Sequence, residues 1–237
     1  MRFLHFGSRW VQGAMRMSRP FALELEYTRE MMFPLLLRPD REWPARALLI
    51  GLGAASLTKF LYHHRPRASI TVVELREDVI IAAGQYFRLP DDRERLEIEL
   101  ADGAAYVAAP GGRYDLILVD GYDAKGRVGA LDTPAFYRHC RARMSKDAVL
   151  ATNLLTRHRG VEASVARMRA AFDGRAIGLP ACASGNVVAV AATGASGELA
   201  SSVLKARASA LREDTGLDLA PLIARLERFP PDLGAAL

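Results

Sequence analysis

The stretch LLIGLGAASLTKF, residues 48–60, decides the fold. An apolar run breaks into glycines and then resumes with the spacing of a helix. Five β-like runs alternate with helical stretches, at residues 46–50, 70–74, 96–100, 115–119 and 147–152. Strands that alternate with helices predict a parallel sheet with helices on both faces. The sequence therefore predicts an α/β fold that is doubly wound around a mostly parallel, Rossmann-like sheet.

The segments on either side of these runs complete the predicted architecture. Residues 175–180 and 186–192 predict an antiparallel pair that brings the sheet to seven strands. Short alternating stretches over residues 1–19 predict a small β-hairpin, and a helix is expected over about 22–37. Residues 197–237 predict one or two outer helices. We expect a small N-terminal unit at 1–40 and a Rossmann-like nucleoside-binding catalytic domain at 41–237.

Composition narrows the function classes. The chain has 237 residues, half of them hydrophobic, and its apolar runs are shorter than the roughly 20 residues that cross a bilayer. No apolar core follows the basic N-terminal residues, so we expect no signal peptide, no membrane association and a cytoplasmic protein. The net charge of +5 is spread over helix faces, which predicts no nucleic-acid partner. The two cysteines lack metal-ligand spacing, and no metal site is expected.

The ends of the first three strands predict a site for an adenosine-bearing ligand. Gly51 and Gly53 permit a tight turn that a ligand can approach closely. Glu74 follows at the end of the second strand, where a carboxylate can bind both ribose hydroxyls. Asp102 and the backbone after it can read the edge of adenine. Ser56 replaces the third glycine of a dinucleotide fingerprint, which favours S-adenosylmethionine-type ligands over NAD.

The fourth strand predicts the reacting group. YDLILVDGYDAKG, residues 114–126, is an apolar strand that ends in Asp120, with Asp123 three residues later. A carboxylate at the end of a buried strand is partly desolvated, which raises its pKa toward the range of a general base. Two neighbouring carboxylates can also hold a cationic amine. The alternative is that Asp120 only caps a loop or helix.

From about Val11 to Asn153 the chain resembles the polyamine aminopropyltransferases, the spermidine and spermine synthase family on a class I methyltransferase-like sheet. The resemblance is carried by WVQG (10–13), EYTREMM (26–32), LLIGLGAAS (48–56), VVELREDVI (72–80), ADGAAYV (101–107), YDLILVDGYDAKG and LDTPAFYRHCRARM (131–144). These segments follow one another in the family's order. The resemblance implies a homodimer that uses no metal.

The resemblance also implies roles for single residues. Gly51, Gly53, Glu74, Asp102 and Gly103 would hold the nucleoside, and Gln12 would face its alkyl arm. Asp120 would take a proton from the acceptor amine, while Tyr122 and Asp123 would orient that amine. The donor would be decarboxylated S-adenosylmethionine, and its aminopropyl group would pass to a polyamine-type amine.

Departures from the family leave alternatives open. Ala54 stands where the family has an acidic loop residue near the amino group of the donor, and Thr28 and Arg29 replace a tyrosine and a histidine. An added arginine near the amino-acid end of the nucleoside would suit the carboxylate of intact S-adenosylmethionine. The alternatives are therefore a small-molecule methyltransferase using that cofactor, or a non-catalytic adenosine-binding homologue, in which the N-terminal hairpin would serve as a dimer or lid element.

Overall fold

The computed structural model describes residues 1–5, 11–122, 129–155, 160–194 and 200–229. The strands are β1 Arg2–Leu4, β2 Gly13–Met15, β3 Arg46–Ile50, β4 Ser69–Glu74, β5 Leu96–Leu100, β6 Tyr114–Val119, β7 Met144–Leu155, β8 Ala176–Gly178 and β9 Asn186–Ala192. The helices are α1 Glu26–Glu30, α2 Pro34–Leu37, α3 Ser56–His64, α4 Glu77–Phe87, α5 Gly103–Ala108, α6 Pro134–Ala142, α7 Val161–Ala171, α8 Ser201–Thr215 and α9 Ala220–Arg228. A 3-10 turn covers Gly129–Asp132.

Seven strands form the central sheet in the order β5-β4-β3-β6-β7-β9-β8. Strands β3 to β7 are parallel, and β9 runs antiparallel to both β7 and β8. The predicted α/β fold with a mostly parallel seven-stranded sheet is confirmed. The strand order reverses between β3 and β6, so the helices after these two strands cover opposite faces and leave a crevice at the carboxyl ends.

Two apolar cores cover the two faces of the sheet. Neighbouring residues of β3 point to opposite sides, so Leu49 belongs to one core and Leu48 to the other, each fully buried. Residues 35–37 of α2 and the apolar faces of α8 and α9 complete the first core. Burial on both faces explains why the inner strands β3, β6 and β9 read as continuous apolar runs rather than alternating ones.

The helix expected over residues 22–37 is instead two short helices, α1 and α2, separated by turns. The physical reason is Pro34. Proline has no backbone N–H, and its ring collides with the carbonyl group four residues earlier, here that of Glu30, so one continuous helix cannot pass through it. Proline is accepted at the first position of α2, where no intrahelical donor is needed.

The N-terminal hairpin is present and packs on the glycine turn after β3. β1 and β2 pair antiparallel, with Phe3 opposite Ala14. Met15 on β2 is buried against Ala54 and Phe87. Whether residues 1–40 form a separate unit stays a prediction. Within the ranges given above, none of the helices has the length and apolar character needed to cross a membrane.

Candidate active site

The turn after β3 needs glycine at two positions. Gly51 has a φ of 96° and Gly53 a φ of 51°, values that L side chains rarely adopt. A Cβ atom at Gly51 would also stand 2.8 Å from the carbonyl carbon of Asp120. At Gly53 the same atom would point into open space. The contact between the turn and the end of β6 therefore depends on Gly51.

Glu74 holds this turn in shape. Its Oε2 accepts a hydrogen bond from the backbone N–H of Leu52 at 2.8 Å, and its Oε1 accepts one from the N–H of Arg76 at 3.0 Å. The residue is buried. Each carboxylate oxygen has a further lone pair, so Glu74 retains capacity to accept hydrogen bonds from a ligand.

Asp102 and Gly103 lie where α5 begins. Asp102 Oδ1 accepts a hydrogen bond from the N–H of Ala105 at 2.8 Å and caps the helix, which leaves Oδ2 for another partner. A Cβ atom on Gly103 would overlap the side chain of Ile50, so glycine allows α5 to approach β3 closely. This close approach brings the third strand end beside the glycine turn.

Gln12 reaches the site through the hairpin. Its backbone N–H donates to the carbonyl oxygen of Leu4 at 2.8 Å, and the next residue, Gly13, lies directly on Ala54. A Cβ atom on Gly13 would overlap the Cβ of Ala54. The hairpin is therefore seated on the loop position that lacks the acidic residue of the family.

Asp120 lies at the centre of the site, partly buried between α1 and β7. Its Oδ1 accepts a hydrogen bond from Nδ2 of Asn153 at 2.8 Å, and its Oδ2 accepts one from the hydroxyl group of Tyr27 at 3.1 Å. Burial raises the pKa of Asp120 above the ordinary value for an aspartate, and these two hydrogen bonds act against that rise. A partly desolvated carboxylate that faces a cavity is suited to proton transfer.

Tyr122 follows Asp120 and is anchored to the neighbouring strand. Its hydroxyl group donates to the backbone carbonyl oxygen of Asn153. Asp123, which the sequence predicts to orient the acceptor together with Tyr122, lies outside the described residues. Its role stays a prediction.

Two cavities meet at Asp120. The larger, about 400 Å³, is lined by all the predicted nucleoside residues, namely Gly51, Gly53, Glu74, Asp102 and Gly103. The smaller, about 330 Å³, extends toward the start of β9 and is lined by Glu26, Asn153, Ser184 and Asn186 among others. Both cavities are bordered by Gln12, Tyr27, Asp120 and Tyr122. Two ligands held in these cavities would meet beside the Asp120 carboxylate.

Three residues at this junction were not assigned by the sequence analysis: Tyr27, Asn153 and Asn186. The sequence could have indicated Asn153 as a site residue, because it is a polar residue near the end of an apolar strand, as Asp120 is. Nothing in the sequence indicated Asn186 as a site residue, because it lies at the start of β9 and not at a carboxyl end. Since β9 runs antiparallel to β7, its start lies at the edge where β7 ends.

Arg29 does not line either cavity. Its guanidinium group donates to the backbone carbonyl oxygen of Glu24 at 3.4 Å. The carboxylate-binding role considered for this arginine therefore has no support from its position. Among the residues that the structure describes, no three His, Cys, Asp or Glu side chains are grouped so that they could hold a metal ion.

Comparison with known proteins assigns the family. Residues 26–172 match the spermine/spermidine synthase domain. A polyamine aminopropyltransferase from Neisseria meningitidis serogroup A is 35% identical over 234 residues, which cover 99% of this chain and 88% of the relative. The chain belongs to the spermine/spermidine synthase family. The predicted resemblance is confirmed.

Solved structures agree with this family's fold. Human methyltransferase-like protein 13, solved in complex with SAH, superposes with a TM-score of 0.72 at 23% identity, covering 81% of this chain and 93% of that one. The spermidine synthase of Thermotoga maritima gives a TM-score of 0.59 at 20% identity, covering 83% and 77%. At these identities the likeness shows the shared fold alone, a class I methyltransferase-like sheet.

Proposed function

We propose that this chain transfers the aminopropyl group of decarboxylated S-adenosylmethionine to a polyamine-type amine. The observation that carries the proposal is the junction of the two cavities at Asp120. One cavity has the groups that a nucleoside requires, and the other is lined by the same carboxylate. Membership of the spermine/spermidine synthase family supports this assignment.

The charges around the larger cavity favour a cationic donor. Glu74, Asp102 and Asp120 contribute three carboxylates to its lining. Arg76 is the one lysine or arginine among the described lining residues, and its Nε donates to Oδ1 of Asp78 at 2.9 Å. Decarboxylated S-adenosylmethionine carries a sulfonium and an ammonium group and no carboxylate, so its charge is complementary to this lining. Intact S-adenosylmethionine would add a carboxylate near the acidic lining.

The smaller cavity suits an amine with a second cationic group. Glu26 lines it, with Oε2 accepting from the N–H of Ala183 at 3.0 Å and Oε1 from Arg225 at 2.8 Å. Both oxygens keep lone pairs for a further donor. An acceptor that places one amine beside Asp120 and another toward Glu26 would satisfy both ends of the cavity.

The reaction needs a neutral amine. Asp120 takes a proton from the acceptor ammonium group, and the nitrogen lone pair then attacks the methylene carbon bonded to sulfur. The new C–N bond forms as the C–S bond breaks, its electron pair neutralises the sulfonium, and methylthioadenosine leaves. The new secondary amine remains protonated. Because the sulfonium is already a good leaving group, most of the rate enhancement comes from the alignment of the two ligands.

One observation favours methyl transfer from intact S-adenosylmethionine as a second candidate. Ala54 provides no carboxylate that would bind the amino group of an aminopropyl arm or repel the carboxylate of intact S-adenosylmethionine, and it is covered by the hairpin. Side-by-side calorimetric titration with S-adenosylmethionine, its decarboxylated form and methylthioadenosine separates the candidates. We expect the decarboxylated form to bind at least about tenfold more tightly, a difference of about 1.4 kcal/mol. Tighter binding of intact S-adenosylmethionine would support methyl transfer, and no binding of any ligand would support a non-catalytic homologue.

The homodimer and the cytoplasmic location also remain proposals. Phe3, Val11 and Met17, in or beside the N-terminal hairpin, are exposed apolar side chains that a partner subunit would cover. Light scattering during size-exclusion chromatography measures the mass directly. A mass of one chain, 25.9 kDa, at micromolar concentration would contradict the dimer.

A further inference from the structure

A chain of hydrogen-bonded side chains runs from the loop before β9 to Asp120. Ser184 Oγ donates to Oδ1 of Asn186 at 2.7 Å, and Asn186 Nδ2 donates to Oδ1 of Asn153 at 2.9 Å. Asn153 Nδ2 then donates to Asp120 Oδ1 at 2.8 Å. The sulfur atom of Cys182 lies 3.0 Å from Ser184 Oγ at the far end. Asn153 and Asn186 are both buried.

The direction of this chain is fixed at its Asp120 end. An ionised Asp120 only accepts hydrogen bonds, so it requires the NH₂ group of Asn153 rather than the carbonyl oxygen. With that direction, the single hydroxyl proton of Ser184 goes to Asn186, which leaves the thiol of Cys182 as the donor to Ser184. The reverse direction would turn the carbonyl oxygen of Asn153 toward Asp120, which only a protonated carboxyl group could satisfy.

We propose that Asn186 is a positioning residue for Asp120, acting through Asn153. The amide of Asn186 holds Oδ1 of Asn153 and thereby keeps the NH₂ group of Asn153 on the Asp120 carboxylate. The ionised, proton-accepting form of Asp120 is stabilised from a strand that does not itself carry the base. This inference rests on the proposed function for its catalytic meaning, but its physical content is the protonation of Asp120.

Other titratable groups surround Asp120 and are common to every comparison below. Tyr27 on α1 donates to its second oxygen, and Tyr122 and Cys182 lie close to Tyr27. Across the smaller cavity Glu26 pairs with Arg225 of α9. Glu74 and Asp102 border the larger cavity. None of these groups is altered in the variants chosen, so differences in the pKa of Asp120 report the asparagine chain.

The test measures the pKa of Asp120 directly, by ¹³C NMR of protein labelled at the aspartate carboxyl carbon, with Asp120→Asn used to assign the signal. Asn153→Leu removes the donor, and we expect it to raise the pKa of Asp120 by about one unit or more, since a hydrogen bond to a charged group is lost. Asn186→Leu should raise it by a smaller amount. Thr152→Val, a nearly isosteric change at a buried neighbour on β7, should leave it unchanged.

A double-mutant cycle isolates the path. If Asn186 acts through Asn153, Asn186→Leu should have no further effect in the Asn153→Leu background. The inference is overturned if Asn186→Leu leaves the pKa of Asp120 unchanged in the wild-type background, or shifts it equally in both backgrounds. Asn186→Ala, which adds no bulk, gives the same comparison if the leucine variant does not fold.

The dependence of kcat on pH provides the second test. The acidic limb of the kcat profile against pH should move upward with the NMR value in Asn186→Leu, while the dissociation constant of the donor stays the same. A fall in kcat at every pH without movement of the limb would indicate a merely structural role. The NMR measurement requires no substrate, so it decides the inference even if the wild-type protein transfers no aminopropyl group, which would instead overturn the proposed function.

Discussion

The backbone of Asp120 lies against Gly51. The N–H of Asp120 donates to the carbonyl oxygen of Ile50 at 2.9 Å, and the absence of a side chain on Gly51 leaves room for the carbonyl group of Asp120. The turn that would hold the donor and the strand end that would carry the base therefore share one contact. A change at Gly51 is transmitted directly to Asp120.

Gly51→Ala should disturb both the glycine turn after β3 and the end of β6. The new methyl group overlaps the Asp120 carbonyl and the φ of 96° is strained, so we expect a loss of about 2 kcal/mol or more of the free energy of unfolding, with weaker nucleoside binding. Gly53→Ala is the matched control, because its methyl group meets open space and only its φ costs about 1 kcal/mol. Thermal unfolding and calorimetry compare the two. Equal effects would show that the contact with Asp120 is unimportant.

Glu74→Gln should weaken nucleoside binding by roughly 1 to 3 kcal/mol, because buried polar groups lose matched partners. A glutamine has one acceptor oxygen, so it cannot accept from the N–H groups of both Leu52 and Arg76 as the carboxylate does. Calorimetric titration with methylthioadenosine measures the loss. Glu97→Gln, an exposed change on β5, is the control. Unchanged affinity in Glu74→Gln would remove this residue from the site.

Asp102→Asn separates helix capping from base recognition. Asparagine caps a helix as well as aspartate does, so its oxygen should keep the hydrogen bond from Ala105 and stability should hardly change. Its NH₂ group would then replace the free carboxylate oxygen. We expect weaker binding of adenosine ligands and a smaller loss for their inosine counterparts, which lack the exocyclic amine. An equal loss for both ligands would contradict contact with that amine.

Asp120→Asn should preserve folding and nucleoside affinity but lower turnover by about 10²- to 10⁴-fold, the usual contribution of positioned proton transfer. An asparagine can still accept from Asn153 with its oxygen, and its NH₂ group can donate to Tyr27. The wild-type rate should rise with pH as Asp120 ionises, at a pH above the ordinary aspartate range because burial raises its pKa. The variant should lack this limb. Normal turnover in the variant would place proton removal elsewhere, with Asp123 the next candidate.

A buried lysine away from the site predicts how stability depends on pH. Lys59 on α3 is 1% exposed, and its Nζ donates to the carbonyl oxygen of Phe87 at 2.7 Å, beside the sulfur of Met15. Burial, and then the charge of Arg88, lower the pKa of Lys59 to about 8. The pKa of a lysine in an unfolded chain is about 10.4, so between these two pH values the unfolded state binds more protons and stability rises with pH.

Lys59→Met should abolish this rise, which amounts to about 2 to 3 kcal/mol between pH 8 and 10.4. Urea unfolding across this pH range measures the free energy of unfolding of both proteins. Titrating groups that the two proteins share contribute equally and cancel in the difference. Lys205→Met is the control, because that side chain is exposed and pairs with Glu227 on the surface. If the stability of the wild-type protein ran parallel to that of Lys59→Met over this pH range, the pKa of Lys59 would not be lowered in the folded protein.

The strand bounds and much of the site follow from local sequence. β3 and β5 begin and end where the sequence predicts, at 46–50 and 96–100, because turn residues or charges flank each run. Glu74, Asp102 and Asp120 were predicted because all three lie at the carboxyl ends of parallel strands, which share one edge of the sheet. Because parallel strands run in the same direction, residues at their carboxyl ends lie close together in the folded protein.

The remaining parts depend on contacts between distant segments. Tyr27 lies on a helix that is only five residues long, and nothing local shows that it meets Asp120, 93 positions later. Asn186 is the first residue of an antiparallel strand, so it does not lie at the carboxyl end of a strand, where ligand-binding residues are expected. The break at Pro34 was missed because an apolar pattern at helical spacing continues across it.

Arg225 of α9 joins the two ends of the described chain. Its guanidinium group pairs with Glu26 and with the buried Glu30 of α1, on either side of Tyr27. At a synthesis rate of roughly 5 to 20 residues per second, the 199 positions that separate Glu26 from Arg225 take roughly 10 to 40 s to translate. During that time α1, which brings Tyr27 to Asp120, lacks its ion pairs with Arg225. A ribosome that stalls before α9 would therefore leave a nearly complete sheet whose acceptor cavity lacks these ion pairs.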